Sequence, residues 1–179
     1  MSDDNVNIYS GVDPETGAAL CVLEWGPIHT ALQPHVVIAT ARDLQTAAAR
    51  AETDIALIRV LRGRVGMSWD AVGSMIRNVR SERPMLPGKP ALRIEAVAGA
   101  GTGMAYVHIS RGSMKGSMGP DEAREMATNW IETAVAAHTD ARLRYVLGEY
   151  HQLSPDDRDG IFAGMQDAGG GPTPERKPL

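Results

Sequence analysis

The sequence predicts an α+β fold, made by tandem duplication of a unit of two long strands, a short strand, a long helix and a short helix. Three observations predict this fold class. The chain matches itself without a gap at an offset of 86 residues, each half begins with short apolar segments around a turn, and each half continues with a helical seam behind a proline. Internal repeats are sought first because a missed repeat gives the wrong fold. We expect a pseudo-twofold antiparallel sheet covered by helices.

The self-match joins residues that constrain the backbone as well as apolar ones. Of 78 aligned pairs, 16 are identical, and they include Gly17/Gly103, Gly26/Gly112, Pro34/Pro120, Asp54/Asp140 and Asp70/Asp156. The predicted boundaries are 1–83 for the first repeat, 84–90 for a linker, 91–168 for the second repeat and 169–179 for a disordered tail rich in glycine and proline. Each repeat is near the lower size limit for an independent core, so we expect the two to share one core.

Each repeat should begin with a β-hairpin. In the first repeat the turn Asp13–Gly17 combines a proline, which presets φ, with a glycine, which accepts a positive φ. In the second, Gly99–Gly103 contains a Gly-x-Gly pattern, but it precedes a strand, which favours a hairpin turn over a phosphate-binding loop. The expected strands are Val6–Ser10, Ala18–Trp25 and Ile28–Leu32, then Ala91–Ala98, Met104–Arg111 and Met114–Met118.

A long helix should follow the strands in each repeat, over Pro34–Arg62 and over Pro120–Leu147. Proline is favoured in the first helical turn because its missing N–H would be unpaired there in any residue. Apolar residues then recur at spacings of 4, 3, 4 and 3, which places them on one helix face. A second, shorter helix is predicted to begin at Ser68 and at Ser154, both suitable N-caps.

Composition bounds the class of protein but not its activity. Apolar residues make up 43% of the chain and charged residues 22%, as in ordinary globular domains. The net charge of −4 argues neither for nor against nucleic acid as a partner. The single cysteine, Cys21, lies in an apolar run and should be a buried small hydrophobe. With neither a signal peptide nor an apolar run of about 18 residues, we expect a cytoplasmic protein without a membrane partner.

The sequence contains no recognisable catalytic motif, and none of the five histidines aligns with another when the two repeats are superimposed in sequence. We therefore predict no catalytic residue, no metal and no cofactor, and a chain that is not an enzyme. The paired Asp54 and Asp140 are the most interesting polar identity between the halves. A pseudo-twofold axis could bring the two carboxylates together to share a proton or hold a metal. The alternative is a local role, such as pairing of Asp54 with Arg50 one turn earlier.

Charge differs sharply between equivalent segments of the two repeats. The window from Arg59 to Arg83 carries a net charge of +4, whereas the matching window from Tyr145 to Gly169 carries −4. Either this is drift on solvated helices, or the molecule is electrically polar and docks a charged partner. The arginines that could meet a protein partner or phosphates are Arg59, Arg62, Arg64, Arg77, Arg80 and Arg83.

The segment Gly66–Gly73 resembles the first part of a bacterial regulator helix-turn-helix of the Gly-x-Ser-Trp-x-x-Ile-Gly type. The likeness ends soon afterwards. Arg77 and Val79 stand where that family has a glycine and a hydroxyl residue, and Pro84 would cut a recognition helix short. The alternative function that follows from this segment is a nucleic-acid-binding regulator that uses the basic residues between Arg59 and Arg83.

Two other stretches, Met118–Ala127 and Thr40–Leu44 with its alanine-rich continuation, resemble small proteins encoded by actinobacteria and their phages. The segment His35–Ile38 departs from that pattern in the first repeat. The resemblance implies an origin and no activity. Our leading hypothesis is a non-enzymatic interaction protein, such as a phage accessory protein in the host cytoplasm that binds a host or phage partner. A protein is the favoured partner, and the chain is expected to be a monomeric pseudo-dimer or a homodimer.

Overall fold

The structure is a computed structural model that describes residues 5–81, 91–99, 102–149 and 153–168. It is an α+β protein whose two units have the same element order, so the predicted fold class is confirmed. The first unit holds β1 (Asn7–Val12), β2 (Ala19–Trp25), β3 (Ile28–Leu32), α1 (Pro34–Gly63) and α2 (Trp69–Ser81). The second holds β4 (Arg93–Gly99), β5 (Met104–Arg111), β6 (Met114–Met118), α3 (Pro120–Glu149) and α4 (Pro155–Ala168). The predicted linker 84–90 and tail 169–179 lie outside the described residues.

The strands form two three-stranded antiparallel sheets, β1-β2-β3 and β4-β5-β6, where a single sheet had been expected. Each unit instead forms a sheet of its own, with a tight turn between its second and third strands. Gly26 and Gly112 adopt positive φ values of 54° and 57°, which glycine accepts without steric cost. Each turn folds the third strand back onto the middle one, so that β2 and β5 are paired on both sides within their own unit.

Each long helix covers the sheet of the other unit. Helix α1 lies mainly on β4 and β5, and helix α3 lies mainly on β1 and β2. The two helices also pack closely on each other, and they run antiparallel. Glu52, late in α1, pairs with Arg124 at the start of α3, and His35 at the start of α1 lines a groove with His138 late in α3. The two units are therefore interlocked and neither sheet is covered by its own helix alone.

One continuous core results from this exchange. Trp25 and Leu23 of β2 belong to the same buried cluster as Val107 and Ile109 of β5, together with the seam residues of both long helices. The buried seam residues are Val37, Ala41, Leu44, Ala47 and Ala48 of α1, and Ala123, Ala127, Trp130, Ala134 and Ala137 of α3. Alanine has no side chain beyond Cβ, so the helix backbones approach closely where it lines the contact.

The short helices are attached with unequal strength. On α2, Val72 and Ile76 are buried in a second apolar cluster with Ile55, Ile58 and Leu61 of α1. On α4, Phe162 is the buried side chain among those described. Both helices have the serine caps that the sequence predicts, since the Ser68 hydroxyl accepts a hydrogen bond from the Ala71 N–H and the Ser154 hydroxyl from the Asp157 N–H.

Candidate functional site

The basic end of the molecule is where α1 ends and α2 begins. Three of its arginines are held by contacts within the chain. Arg80 bonds to Asp54, Arg62 donates to the Met67 carbonyl while its guanidinium lies 4.5 Å from the centre of the Trp69 ring, and Arg59 donates to the Gly103 carbonyl. These contacts fix the side chains and use donors that a phosphate would otherwise take.

Two exposed arginines of the basic end remain for a partner. Neither Arg64 nor Arg77 forms a hydrogen bond or an ion pair with a residue that the structure describes. The sixth predicted arginine, Arg83, lies outside the described residues. Of the arginines described at this end, Arg64 and Arg77 are therefore the two whose donors are not used within the chain, and they lie on α2 and in the turn before it.

Exposed apolar side chains accompany the arginines at this end. Trp69 is 48% exposed and Val65 is 62% exposed, although both residues are large and apolar. Met75 and Val79 are one turn apart on α2, beside the face that buries Val72 and Ile76, and both are exposed. Burial of such side chains against a partner is favourable, and exposed apolar groups that lie together mark interaction sites.

The acidic end is where α3 ends and α4 begins. Asp156, Asp157 and Asp159 are exposed on the first turns of α4. Arg144 lies 3.5 Å from Asp159 and stacks over Phe162, so one basic side chain is used within this end. The exposed large apolar side chains here are Tyr145, Val146, Ile161 and Met165.

The two ends expose apolar residues at equivalent positions of the repeat. The pairs, each 86 residues apart, are Val60/Val146, Met75/Ile161 and Val79/Met165. In the same segments most exposed charges are of opposite sign, with Arg64 and Arg77 at one end and Asp156, Asp157 and Asp159 at the other, although Asp70 is exposed at the basic end and Arg144 at the acidic end. The ends are therefore alike in their apolar pattern and opposite in charge.

Asp54 and Asp140 are not brought together, because α1 and α3 run antiparallel. Because Glu52 lies beside Arg124, the neighbouring Asp54 is near the start of α3, whereas Asp140 is near the start of α1. The two aspartates are therefore separated by roughly 27 Å along the helix axes. Asp54 is bound by Arg80, and Asp140 accepts a hydrogen bond from the Ser10 hydroxyl at 3.4 Å. Among the described residues no three histidine, cysteine or acidic side chains cluster to hold a metal.

One feature escaped the sequence analysis, a groove of about 660 Å³ between the start of α1 and the end of α3. Its polar lining includes His35, His138, Arg142 and Tyr145. The antiparallel helix pairing puts these residues side by side, and no alignment of the repeat with itself would indicate it. At the equivalent positions of the other half, buried Ile55 stands in place of Ala141, and Arg59, in place of Tyr145, donates a hydrogen bond to the Gly103 carbonyl.

Cys21 offers no reactive thiol. It is fully buried in the middle strand β2, and burial raises its pKa to about 11. The thiolate, which is the nucleophilic form, is therefore disfavoured at neutral pH. The sequence analysis placed Cys21 in the core, and the structure confirms that position.

Comparison with known proteins gives no family, because no protein-family model, curated protein or solved structure matches the chain. Of the helices in the described ranges, none has the length and apolar character needed to cross a bilayer.

Proposed function

We propose that this chain is a non-enzymatic macromolecular interaction protein, of the kind a phage supplies as an accessory factor to bind a host or phage protein in the host cytoplasm. The observation that carries the proposal is the concentration of exposed large apolar side chains at the two ends of the molecule. In the described residues, nine of the eleven such side chains lie there, and Met104 and Val135 are the other two. Patches of this kind on a soluble protein mark binding surfaces.

The core supports a scaffold role for the rest of the molecule. The interlocked helices bury small and aliphatic side chains together with Trp130, and the buried polar residues among those described are Thr40 and Asp54. Thr40 donates to the Val36 carbonyl and Asp54 accepts from Arg80, so both are bound within the chain. Such a core holds the two ends at a fixed separation.

Affinity capture with the tagged full-length chain tests this proposal. The bait is incubated with cell lysate, with and without nuclease. Two variants with altered ends serve as further baits, Met75→Ser/Val79→Ser and Ile161→Ser/Met165→Ser. We expect a protein that survives nuclease and is lost with at least one of these variants. Val135→Ser is the matched control, because Val135 is 55% exposed on α3 outside both ends. Equal capture by all baits, or no captured protein, would contradict the proposal.

A nucleic-acid-binding regulator is the second candidate, and Arg64 and Arg77 are the observation that favours it. Phosphate contacts by such side chains make binding steeply dependent on salt, with a slope in log K against log salt that falls by about 0.9 for each contact removed. The variant Arg64→Ala/Arg77→Ala should therefore weaken DNA binding and flatten its salt dependence. Arg93→Ala is the control, because Arg93 is an exposed arginine on β4 that pairs with Glu95. Binding that ignores salt would exclude this candidate.

A further inference from the structure

We propose that the chain assembles head to tail with copies of itself, the basic end of one copy docking on the acidic end of the next. The basic end comprises the last turn of α1, the turn after it and α2, and the acidic end comprises the last turns of α3 and α4. This inference deepens the proposed function, since it identifies a second copy of the chain as one partner of the ends.

The positions of the two ends permit such a contact. Because α1 and α3 are antiparallel, the carboxyl end of α1 and the carboxyl end of α3 lie at opposite poles of the molecule. Each helix has 30 residues, so the two poles are separated by about 45 Å or more. One copy can therefore offer both ends to different neighbours at the same time. A contact between unlike surfaces of this kind repeats into an open chain or closes into a ring.

Charge decides which ends meet. Contact between two basic ends would place Arg64 and Arg77 of one copy against the same residues of another, and contact between two acidic ends would oppose Asp156 and Asp159. Like charges brought together at an interface disfavour that contact, whereas opposite charges steer and align the partners. The +4 and −4 windows of the sequence therefore select the head-to-tail arrangement over a symmetric dimer through either end.

The repeated apolar positions supply the surface that such a contact would bury. Met75 and Val79 are one helical turn apart on α2, and Ile161 and Met165 have the same spacing on α4. All four side chains are exposed, at 39–48% of their full area. A single copy leaves these positions unburied in both repeats. Docking of α2 on α4 of another copy would cover both pairs in one interface with a charged rim, as in typical protein contacts.

Sedimentation velocity of the full-length chain over a range of concentrations tests the proposal. We expect species larger than one copy that grow with concentration at about 0.05 M NaCl and decline at about 0.5 M, where charges are screened over shorter distances. Reversal of one end, by Arg64→Glu/Arg77→Glu or by Asp156→Lys/Asp159→Lys, should weaken self-association by at least about tenfold. Lys115→Glu, an exposed charge reversal on β6 outside both ends, should leave it unchanged.

A mixture of the two charge-reversed variants, measured by the same sedimentation experiment, distinguishes loss of the contact from misfolding. Alone, each variant keeps one unchanged end, while the net charge of its altered window changes from +4 or −4 to zero, so each should remain a single copy. In the mixture, the unchanged basic end of one variant can meet the unchanged acidic end of the other. Together they should form a mixed complex, which misfolded variants could not do. The neutral variant Ile161→Ser/Met165→Ser checks the apolar contribution without changing charge, and it should also reduce assembly.

A chain that remains one copy at all concentrations and salts overturns the head-to-tail proposal, and so does a mixture of the reversed variants that forms no complex. In either case capture of a nuclease-resistant protein by the same ends would still uphold the proposed function. Failure of both experiments would reject both proposals.

Discussion

Arg80 donates two hydrogen bonds to a single carboxylate oxygen of Asp54, from Nε at 3.0 Å and from Nη2 at 2.7 Å. The carboxylate is 2% exposed, whereas the arginine side chain is 37% exposed. This ion pair joins the end of α2 to the second half of α1. It places the positive guanidinium of Arg80 beside the buried carboxylate of Asp54. The equivalent Asp140 accepts a hydrogen bond from the Ser10 hydroxyl and has no arginine partner among the described residues.

Replacement of Arg80 by alanine should destabilise the protein by about 1.5–3 kcal/mol, the range for a hydrogen bond to a charged group. The cost arises because Asp54 remains buried after a charged partner has been removed. Chemical denaturation monitored by circular dichroism measures the change. Asp54→Ala should cost less than Arg80→Ala, because the partly exposed guanidinium can be solvated by water.

Asp140→Ala is the matched control for the Asp54 pair, since it lies at the equivalent position of the second repeat. It is half-buried and accepts a long hydrogen bond from a neutral hydroxyl, so its loss should change the free energy of unfolding by less than about 1 kcal/mol. Equal costs for Arg80→Ala and Asp140→Ala would show that the Arg80–Asp54 pair has no special role.

The sequence predicted local structure well where a residue type has a direct physical consequence. The third strands Ile28–Leu32 and Met114–Met118 and the helix starts at Pro34 and Pro120 agree with the structure residue by residue. Gly26 and Gly112, which the self-match aligns, both adopt a positive φ in the turn before the third strand. The duplication itself stays an inference from the self-match, which the repeated order of elements supports.

Tertiary pairing was not predictable from the same signals. Both repeats have the same apolar patterns, so the local sequence does not indicate whether α1 covers the sheet of its own unit or that of the other unit. The exchange of helices separates Asp54 from Asp140 and brings His35 beside His138. The hydrogen bonds of Arg59 and Arg80 reach partners distant in sequence, and that of Arg62 depends on the turn after α1. The net charge of a sequence window does not indicate such bonds.

Cys21 should resist thiol reagents in the native protein and react only when β2 is opened. It is fully buried, and its pKa is raised to about 11 by that burial, so both access and ionisation oppose reaction at about pH 8. Because the folded pKa lies above the ordinary value of 9.0, stability should also fall as pH rises between 9.0 and about 11. Labelling with a chromogenic disulfide, with and without denaturant, measures the reaction.

Cys21→Val provides the control for both effects, because valine occupies the equivalent position 107 in the second repeat. This variant should fold normally, show no labelling and lose the part of the alkaline destabilisation that is due to the thiol. Rapid labelling of the native wild-type protein would mean that β2 is accessible without unfolding, contrary to its position between β1 and β3.

The Glu52–Arg124 ion pair should make a small, pH-dependent contribution to the packing of α1 on α3. The hydrogen bond from Arg124 lowers the pKa of Glu52 below its usual 4.5, so the contribution is present above pH 4.5 and is lost as pH falls through the lowered value. Melting temperatures of the wild type and Glu52→Gln should differ near neutral pH and converge in acid. The pair is exposed, so this difference in melting temperature should be small and should shrink as salt is added. A melting-temperature difference that grows as the pH is lowered would contradict a stabilising role of the Glu52–Arg124 ion pair.

Helix α4 should open more readily than α2, because the two helices occupy equivalent places with unequal packing. On the α2 side, Ile58 of α1 belongs to the apolar cluster that buries Ile76, whereas on the α4 side the equivalent α3 residue is the exposed Arg144. Local opening requires less free energy where fewer apolar contacts are lost. Native-state hydrogen exchange should therefore give lower protection to the amides of α4 than to those of α2.

Substitutions at the equivalent positions 76 and 162 separate local from global effects. Ile76→Ala should cost about 2–5 kcal/mol of global stability, because Ile76 is part of a cluster that includes α1. Phe162→Ala should release α4 locally and leave the exchange of the core strands β2 and β5 nearly unchanged, because α4 contacts mainly α3. If Phe162→Ala instead lowered the protection of β2 and β5 as much as Ile76→Ala does, α4 would be part of the cooperative core, and the inequality inferred from its packing would be wrong.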